Sequence, residues 1–150
     1  MLAPGETVDD DAVSDYRLEK QVGHLLRRAH QRATSIFLDG LGDGQVTPTQ
    51  YAALVRLAEQ DDLSQNHLGR LTAMDPATAQ GVIRRLGDRG LIETRRDPDD
   101  RRRTRIRLTD AGRRLVAELI PRGAEVSART LEPLDAAEQR LFLKFLERLC

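Results

Sequence analysis

Residues Asp75 to Gly112 restrict the fold of this chain more than any other stretch. Asp75 is a good helix N-cap, and Pro76 follows at the first helical position, where its missing N–H costs nothing. Ala79, Val82, Ile83 and Leu86 recur at helical spacing and predict one inward face. Pro76, Ala77, Gln80, Gly81 and Arg84 are left outside, small or polar residues that suit a helix lying close against a partner. Gly90 ends the helix, and Leu91-Ile92 begins a strand whose outward positions turn basic at Arg95 and Arg96. Asp97-Pro98-Asp99-Asp100 is turn chemistry, Arg101, Arg102 and Arg103 follow, and Thr104 to Leu108 alternates as a second strand. A helix followed by a β-hairpin with a guanidinium cluster near its tip results.

The residues before it read as a helix-turn-helix. Thr47-Pro48-Thr49-Gln50 is a capping box, and Tyr51, Leu54, Val55 and Ala58 are the expected inner face of the helix it starts. Asp61-Asp62 is a break, Leu63 a candidate edge strand beside the hairpin, and Ser64 the cap of a short helix through Leu68 and Leu71. Thr72-Ala73-Met74 is the turn into the Asp75 helix. From Arg84 to Arg107 there are ten arginines against five acidic residues. An exposed helix flanked by such a hairpin has the geometry of a major-groove reader with a wing over the backbone or minor groove. Gln80 and Arg84 suit bidentate base contacts, Gln to adenine and Arg to guanine, whereas Arg85 and Arg89 fit an ordinary surface equally well. The competing reading is a winged helix that docks an acidic protein through its basic hairpin, without sequence-specific DNA binding.

Net charge does not contradict a polyanion partner. The formal charge is zero, but residues 1 to 19 hold six acids and one arginine, so neutrality is an average over segregated charge. Residues 1–14 read as a mobile acidic tail. Aromatics are 3% and Trp is absent, so the core must come from Leu, Val, Ile and Ala. The single cysteine, Cys150, cannot form an intramolecular disulfide, and no signal peptide or run of ~18 apolar residues is present, which predicts a cytoplasmic protein. His24, His30 and His67 lack metal-ligand spacing, and there is no nucleophile elbow, phosphate loop or framed carboxylate pair, so neither metal nor cofactor nor catalysis is expected.

Both chain ends are amphipathic and helical. Leu18, Val22, Leu25, Leu26, Ala29, Ala33, Ile36 and Phe37 predict a helix of about six turns from Asp15, broken by the glycines of residues 40–44. Thr109 caps a helix with Ala111, Leu115, Val116, Leu119 and Ile120 inward, which Pro121 and Gly123 are expected to kink or interrupt. Asp135 to Glu138 resembles a capping box, and the final helix carries Leu141, Phe142, Phe145, Leu146 and Leu149 on one face. Such a layer at the two ends is most economically buried against a second copy, with Leu18 joining the last helix in the interface.

Asp100-Arg101-Arg102, six intervening residues and Thr109-Asp110-Ala111-Gly112 resemble the wing signature of the MarR family of bacterial transcriptional regulators, and LGDRGL (Leu86 to Leu91) is similar to that family's helix-to-wing junction. The resemblance implies a mainly α fold with a small β-wing, built as a winged helix-turn-helix DNA-binding domain over residues 47–109 and a terminal-helix dimerisation layer over 15–46 and 110–150. It implies a homodimer on a pseudo-palindromic operator in double-stranded DNA, contacted by Ser64, Gln65, Pro76, Ala77, Thr78, Gln80, Gly81, Arg84, Arg95, Arg96, Asp100, Arg101, Arg102 and Arg103. In it Asp100 pairs with Arg102 at the wing tip and Arg101 probes the minor groove, the roles of the two arginines being open to exchange. It also implies a repressor released by a small-molecule effector bound between the dimer helices and the winged domain, where His24, Arg28 and Tyr51 would converge. From its place beside the apolar face of the first helix, His24 reads first as a surface or interface residue, with the ligand pocket as the sharper alternative. Gln21 to Arg32 and Ser64 to Thr78 resemble a subgroup that controls aromatic-acid degradation, with a free aromatic acid or its coenzyme A thioester as effector.

Overall fold

The computed structural model describes residues 15–41 and 46–150, which divide into two compact units between Arg32 and Ala33. The acidic tail and most of the glycine break at 40–44 lie outside the described residues.

The first unit holds a 3-10 turn, Leu18–Lys20, and the start of helix α1, Val22–Leu41. The helix expected from Asp15 therefore begins later. Gln21 is extended (φ −77°, ψ 133°), its carbonyl accepts the Leu25 N–H, and so it opens α1 and leaves Leu18 on the preceding turn. Gly40 does not break α1, because the helix continues to Leu41.

In the second unit, α1 is followed by α2 (Pro48–Glu59), β1 (Leu63–Ser64), α3 (Gln65–Leu71), α4 (Pro76–Asp88), β2 (Ile92–Arg96), β3 (Thr104–Leu108), α5 (Asp110–Leu131) and α6 (Ala136–Leu149). The strands form an antiparallel sheet in the order β1-β3-β2, with Leu63 opposite Ile106 and Ile92 opposite Leu108. Leu54, Leu57, Leu68, Leu86, Ile106, Leu108 and Leu119 are fully buried and join α2, α3, α4, the sheet and α5 into one core.

Two helix stripes differ from the sequence expectation. In α2 the buried set is Gln50, Ala53, Leu54 and Leu57, while Ala58 is exposed. This is the expected i, i+3, i+4, i+7 pattern moved back one residue, because Gln50 is buried by its cap: its Oε1 accepts the Thr47 N–H while the Thr47 hydroxyl accepts its own N–H. In α5 the buried set is Gly112, Val116, Leu119 and Val126, and Ile120 is exposed. Glycines occupy this stripe where other elements come close. A Cβ at position 112 would sit 2.0 Å from the Leu91 carbonyl oxygen, and one at Gly123 would sit 2.0 Å from the Tyr51 hydroxyl. Helix α5 runs unbroken through Pro121 and Gly123, so Gly123 makes room for a side chain and does not end the helix.

The ends of α3 and α4 share one closing motif. After α4, the Leu91 N–H reaches the Leu86 carbonyl and the Gly90 N–H that of Gly87, with Gly90 at φ +67°. After α3, the Met74 N–H reaches the Gly69 carbonyl and the Ala73 N–H that of Arg70, but here the left-handed position is alanine, at φ +52°. A Cβ in that conformation costs ~1–2 kcal/mol. Chemical denaturation should therefore find Gly90→Ala less stable than the native chain by about 1 kcal/mol and Ala73→Gly more stable by a similar amount. An unchanged midpoint in both would contradict this account of the two caps.

Candidate DNA-binding surface

Helix α4 is fixed at its start by one side chain. Asp75 accepts the Thr78 N–H at 2.9 Å and the Thr78 hydroxyl at 2.7 Å, and those bonds hold its carboxyl below the usual aspartate range. Ala79, Val82, Ile83 and Leu86 anchor the inner face. Pro76, Ala77, Gln80 and Arg84 are exposed, while Thr78 and Gly81 are half-buried. Ser64 and Gln65 lie at the start of α3, where the Ser64 hydroxyl accepts the His67 N–H as a cap.

The wing tip is organised by Asp97. Its side chain is buried and accepts the N–H groups of Asp99 at 2.9 Å and Asp100 at 3.3 Å, which hold its carboxyl below the ordinary range against the opposing effect of burial. The Asp97 N–H donates to the Arg103 carbonyl and closes the loop. The expected pairing at the tip needs correction: the Asp100 carboxylate pairs with the Arg103 guanidinium at 3.3 Å, and Arg102 meets it only through a backbone N–H at 3.0 Å. The i,i+3 spacing brings Arg103 back over the turn, whereas Arg102 projects outward. Arg95 donates to Asp62 at 2.7 Å, and Arg105 lies 2.9 Å from Asp97. Arg96, Arg101 and Arg102 are exposed and make no ion pair among the described residues.

Between α3 and the wing lies a cleft of about 300 Å³ lined by Ser64, Gln65, Asn66, Arg70, Arg102, Arg103 and Thr104. Every lining side chain is polar, and three are arginines. Asn66, Arg70 and Thr104 were not singled out from the sequence, although the i,i+4 spacing of Asn66 and Arg70 on a short helix beside the wing was a usable signal. Asp62, Asp97 and Arg105 were missed too, since nothing local distinguishes a bracing ion from a solvated one.

The remaining predicted site residues belong partly to each unit. His24 is half-buried and Arg28 exposed, one turn apart on the first-unit part of α1. Tyr51, in the second unit, packs edge-on to Phe37 (centroids 5.6 Å, 70°), and burial pushes its phenol pKa up. Leu18 is exposed in the first unit. In the second unit Leu141, Phe145 and Leu149 are exposed, Phe142 and Leu146 half-buried, and no residue of α6 is buried in the single chain. No group of three potential metal ligands and no helix long and apolar enough to cross a membrane occurs among the described residues.

A capped, exposed helix beside an arginine-bearing hairpin is the arrangement found in known regulators. Residues 45–103 match the model of the MarR family. The HTH-type transcriptional repressor NicR of Pseudomonas putida is 37% identical over 89% of this chain and 85% of its own length. The chain belongs to the MarR family. It is accordingly a DNA-binding transcriptional regulator, which displaces the protein-docking alternative. Among solved structures, a probable transcriptional regulator from Pseudomonas aeruginosa is 47% identical with a TM-score of 0.85, covering 89% of this chain and all of that one. Bordetella bronchiseptica BpsR, whose DNA binding is regulated by 6-hydroxynicotinic acid, is 38% identical with a TM-score of 0.86, covering 89% and 96%.

The depressed carboxyls of Asp62, Asp75 and Asp97 fix the sign of a pH effect. A group with a lowered folded-state pKa contributes stability that is complete above its unfolded pKa and is lost as pH falls through the folded one. The melting-temperature difference between the native MarR-family chain and Asp75→Ala should therefore be widest at neutral pH and close as pH drops below the aspartate range. A difference that stayed constant into acid would show that the Asp75 carboxylate is not the cap.

Proposed function

We propose that this protein represses transcription as a homodimer on a pseudo-palindromic operator and is released by a hydroxylated aromatic or heteroaromatic acid. The observation that carries the DNA half is the exposed face of α4 beside Arg96, Arg101 and Arg102, three wing cations that pair with no acid among the described residues. In this reading Pro76, Ala77, Thr78, Gln80, Gly81 and Arg84 face the major groove, Gln80 and Arg84 reading base edges. Ser64, Gln65, Arg96, Arg101, Arg102 and Arg103 serve the backbone and minor groove, with Asp100 shaping the tip and Arg95 held by Asp62. The apolar face of α6, with Leu141 and Phe145 each 51% exposed and Leu149 71%, supports pairing with a second copy, Leu18 adding to the contact. Two α4 helices would then enter successive major grooves ~34 Å apart. Residues 47–109 form the DNA-binding domain and the flanking helices the dimerisation region, in the cytoplasm where the chromosome lies.

BpsR's response to 6-hydroxynicotinic acid favours a free acid over a coenzyme A thioester. We assign effector recognition to His24 and Arg28, one turn apart on α1, since a guanidinium suits a carboxylate and an imidazole a ring hydroxyl. Release requires the acid to prefer the dimer state that cannot bind DNA, because equal affinity for both states shifts nothing.

Fluorescence-anisotropy titration against the DNA upstream of the coding sequence, with unrelated competitor, tests the proposal. Specific binding should fall steeply with salt, and Arg101→Ala/Arg102→Ala should weaken binding to every sequence by roughly tenfold or more. Gln80→Ala should instead relax preference at particular base pairs. Adding 6-hydroxynicotinic acid or hydroxybenzoates should raise the melting temperature and lower operator affinity, less so in Arg28→Ala. Undiminished binding by the double arginine variant at moderate salt would refute the wing assignment, and no response to any such acid would refute the effector class.

A further inference from the structure

Arg95 and Arg105 lie directly opposite one another in the β2–β3 register. Cross-strand partners share a face, and like charges so placed repel. The pair sits where β1 gives β3 its last support, at Arg105, before the wing projects toward its loop as a two-stranded ribbon. Asp62 stands at this point. Its carboxylate receives Arg95 through Nη2 at 2.7 Å and Nε at 3.4 Å and lies 3.9 Å from Arg105 Nε, while its carbonyl accepts Arg105 Nη1 at 2.9 Å. Asp62 does this from the left-handed region, at φ +62°, a conformation aspartate tolerates better than most residues. On the other side Arg105 Nε, shielded from solvent, is 2.9 Å from the buried Asp97 carboxylate that shapes the tip. Arg105 thus links the α2–β1 loop to the wing tip from the loop end of β3. Thr104, its neighbour, lines the polar cleft facing α3.

We propose that Asp62 and Asp97, acting through Arg105, are positioning residues for DNA binding that hold the wing at a fixed distance from α3 and α4. This rests on the DNA-binding reading above. The two acids touch no DNA in this account. They neutralise the facing pair Arg95 and Arg105 and leave Arg96, Arg101 and Arg102 for phosphate.

The claim has a sign opposite to simple electrostatics. Removing a negative charge from a DNA-facing surface should tighten binding to a polyanion. Asp62→Asn and Asp97→Asn each remove one, yet if the acids position the wing, affinity should fall by roughly tenfold, as for a lost phosphate or base contact. Asp99→Asn, an equal charge change at an exposed neighbour in the same turn, should leave affinity unchanged or tighten it. Amide hydrogen exchange of residues 95–105 in the DNA-free protein supplies an independent readout: faster exchange in the Asp62 and Asp97 variants, unchanged in Asp99→Asn. Tighter DNA binding and unaltered wing exchange in both variants would overturn the proposal. Faster wing exchange in a protein whose native form binds no DNA would support the brace while refuting the DNA-binding reading. Asp62→Asn lies outside the tip turn, so its result stands even if Asp97→Asn fails to fold.

Discussion

A surface that gathers arginine to meet a polyanion must first withstand its own repulsion. Ten arginines fall between residues 84 and 107, and two of them face each other across adjacent strands. Without counter-charge a hairpin of this kind would splay. The remedy is division of labour within the hairpin: acids from outside its strands engage the facing pair, Arg95 and Arg105, while Arg96, Arg101 and Arg102 keep their charge exposed. Helix α4 is held by the same chemistry, a single aspartate at its cap. In both places a carboxylate converts local sequence into a set direction for groups that face outward.

The elements were legible because their signals are short-range. Asp75-Pro76, Thr47 with Gln50, and Asp135 with Glu138 name the starts of α4, α2 and α6, and the caps form as read. The alternation of β3 and the edge pairing of Leu63 were equally visible. Burial was less so, and for one reason: hydrophobic periodicity finds a stripe only if apolar side chains fill it. Gln50, buried by its cap, and Gly112, buried where another element approaches, do not register as apolar, nor does the half-buried Gly123 against Tyr51, so the predicted faces of α2 and α5 turned toward Ala58 and Ile120. Pro121 was read as a breaker for a related reason, since its effect on an isolated helix was weighed and the packing of α5 across Val116, Leu119 and Val126 was not.

The candidate site was legible in type but not in wiring. Arginines on a hairpin beside a small-faced helix announce a nucleic-acid surface, and family membership agrees. Which arginine meets which acid depends on pairs 33 and 43 residues apart, Arg95 and Arg105 with Asp62, and no local pattern encodes these. Asp100 was assigned to Arg102 by resemblance and meets the Arg103 guanidinium instead. The outcome is consequential, since it leaves both Arg101 and Arg102 available at the tip.

The central claim, a paired reader whose wings are held in register with their recognition helices, is tested most directly by hydroxyl-radical footprinting on the DNA upstream of the coding sequence. The account predicts two protected backbone patches per strand, related by a dyad and centred one helical turn of ~10 base pairs or a multiple apart, with minor-groove protection flanking each major-groove site. A single patch without dyad symmetry, or protection that vanishes under unrelated competitor DNA, would contradict it.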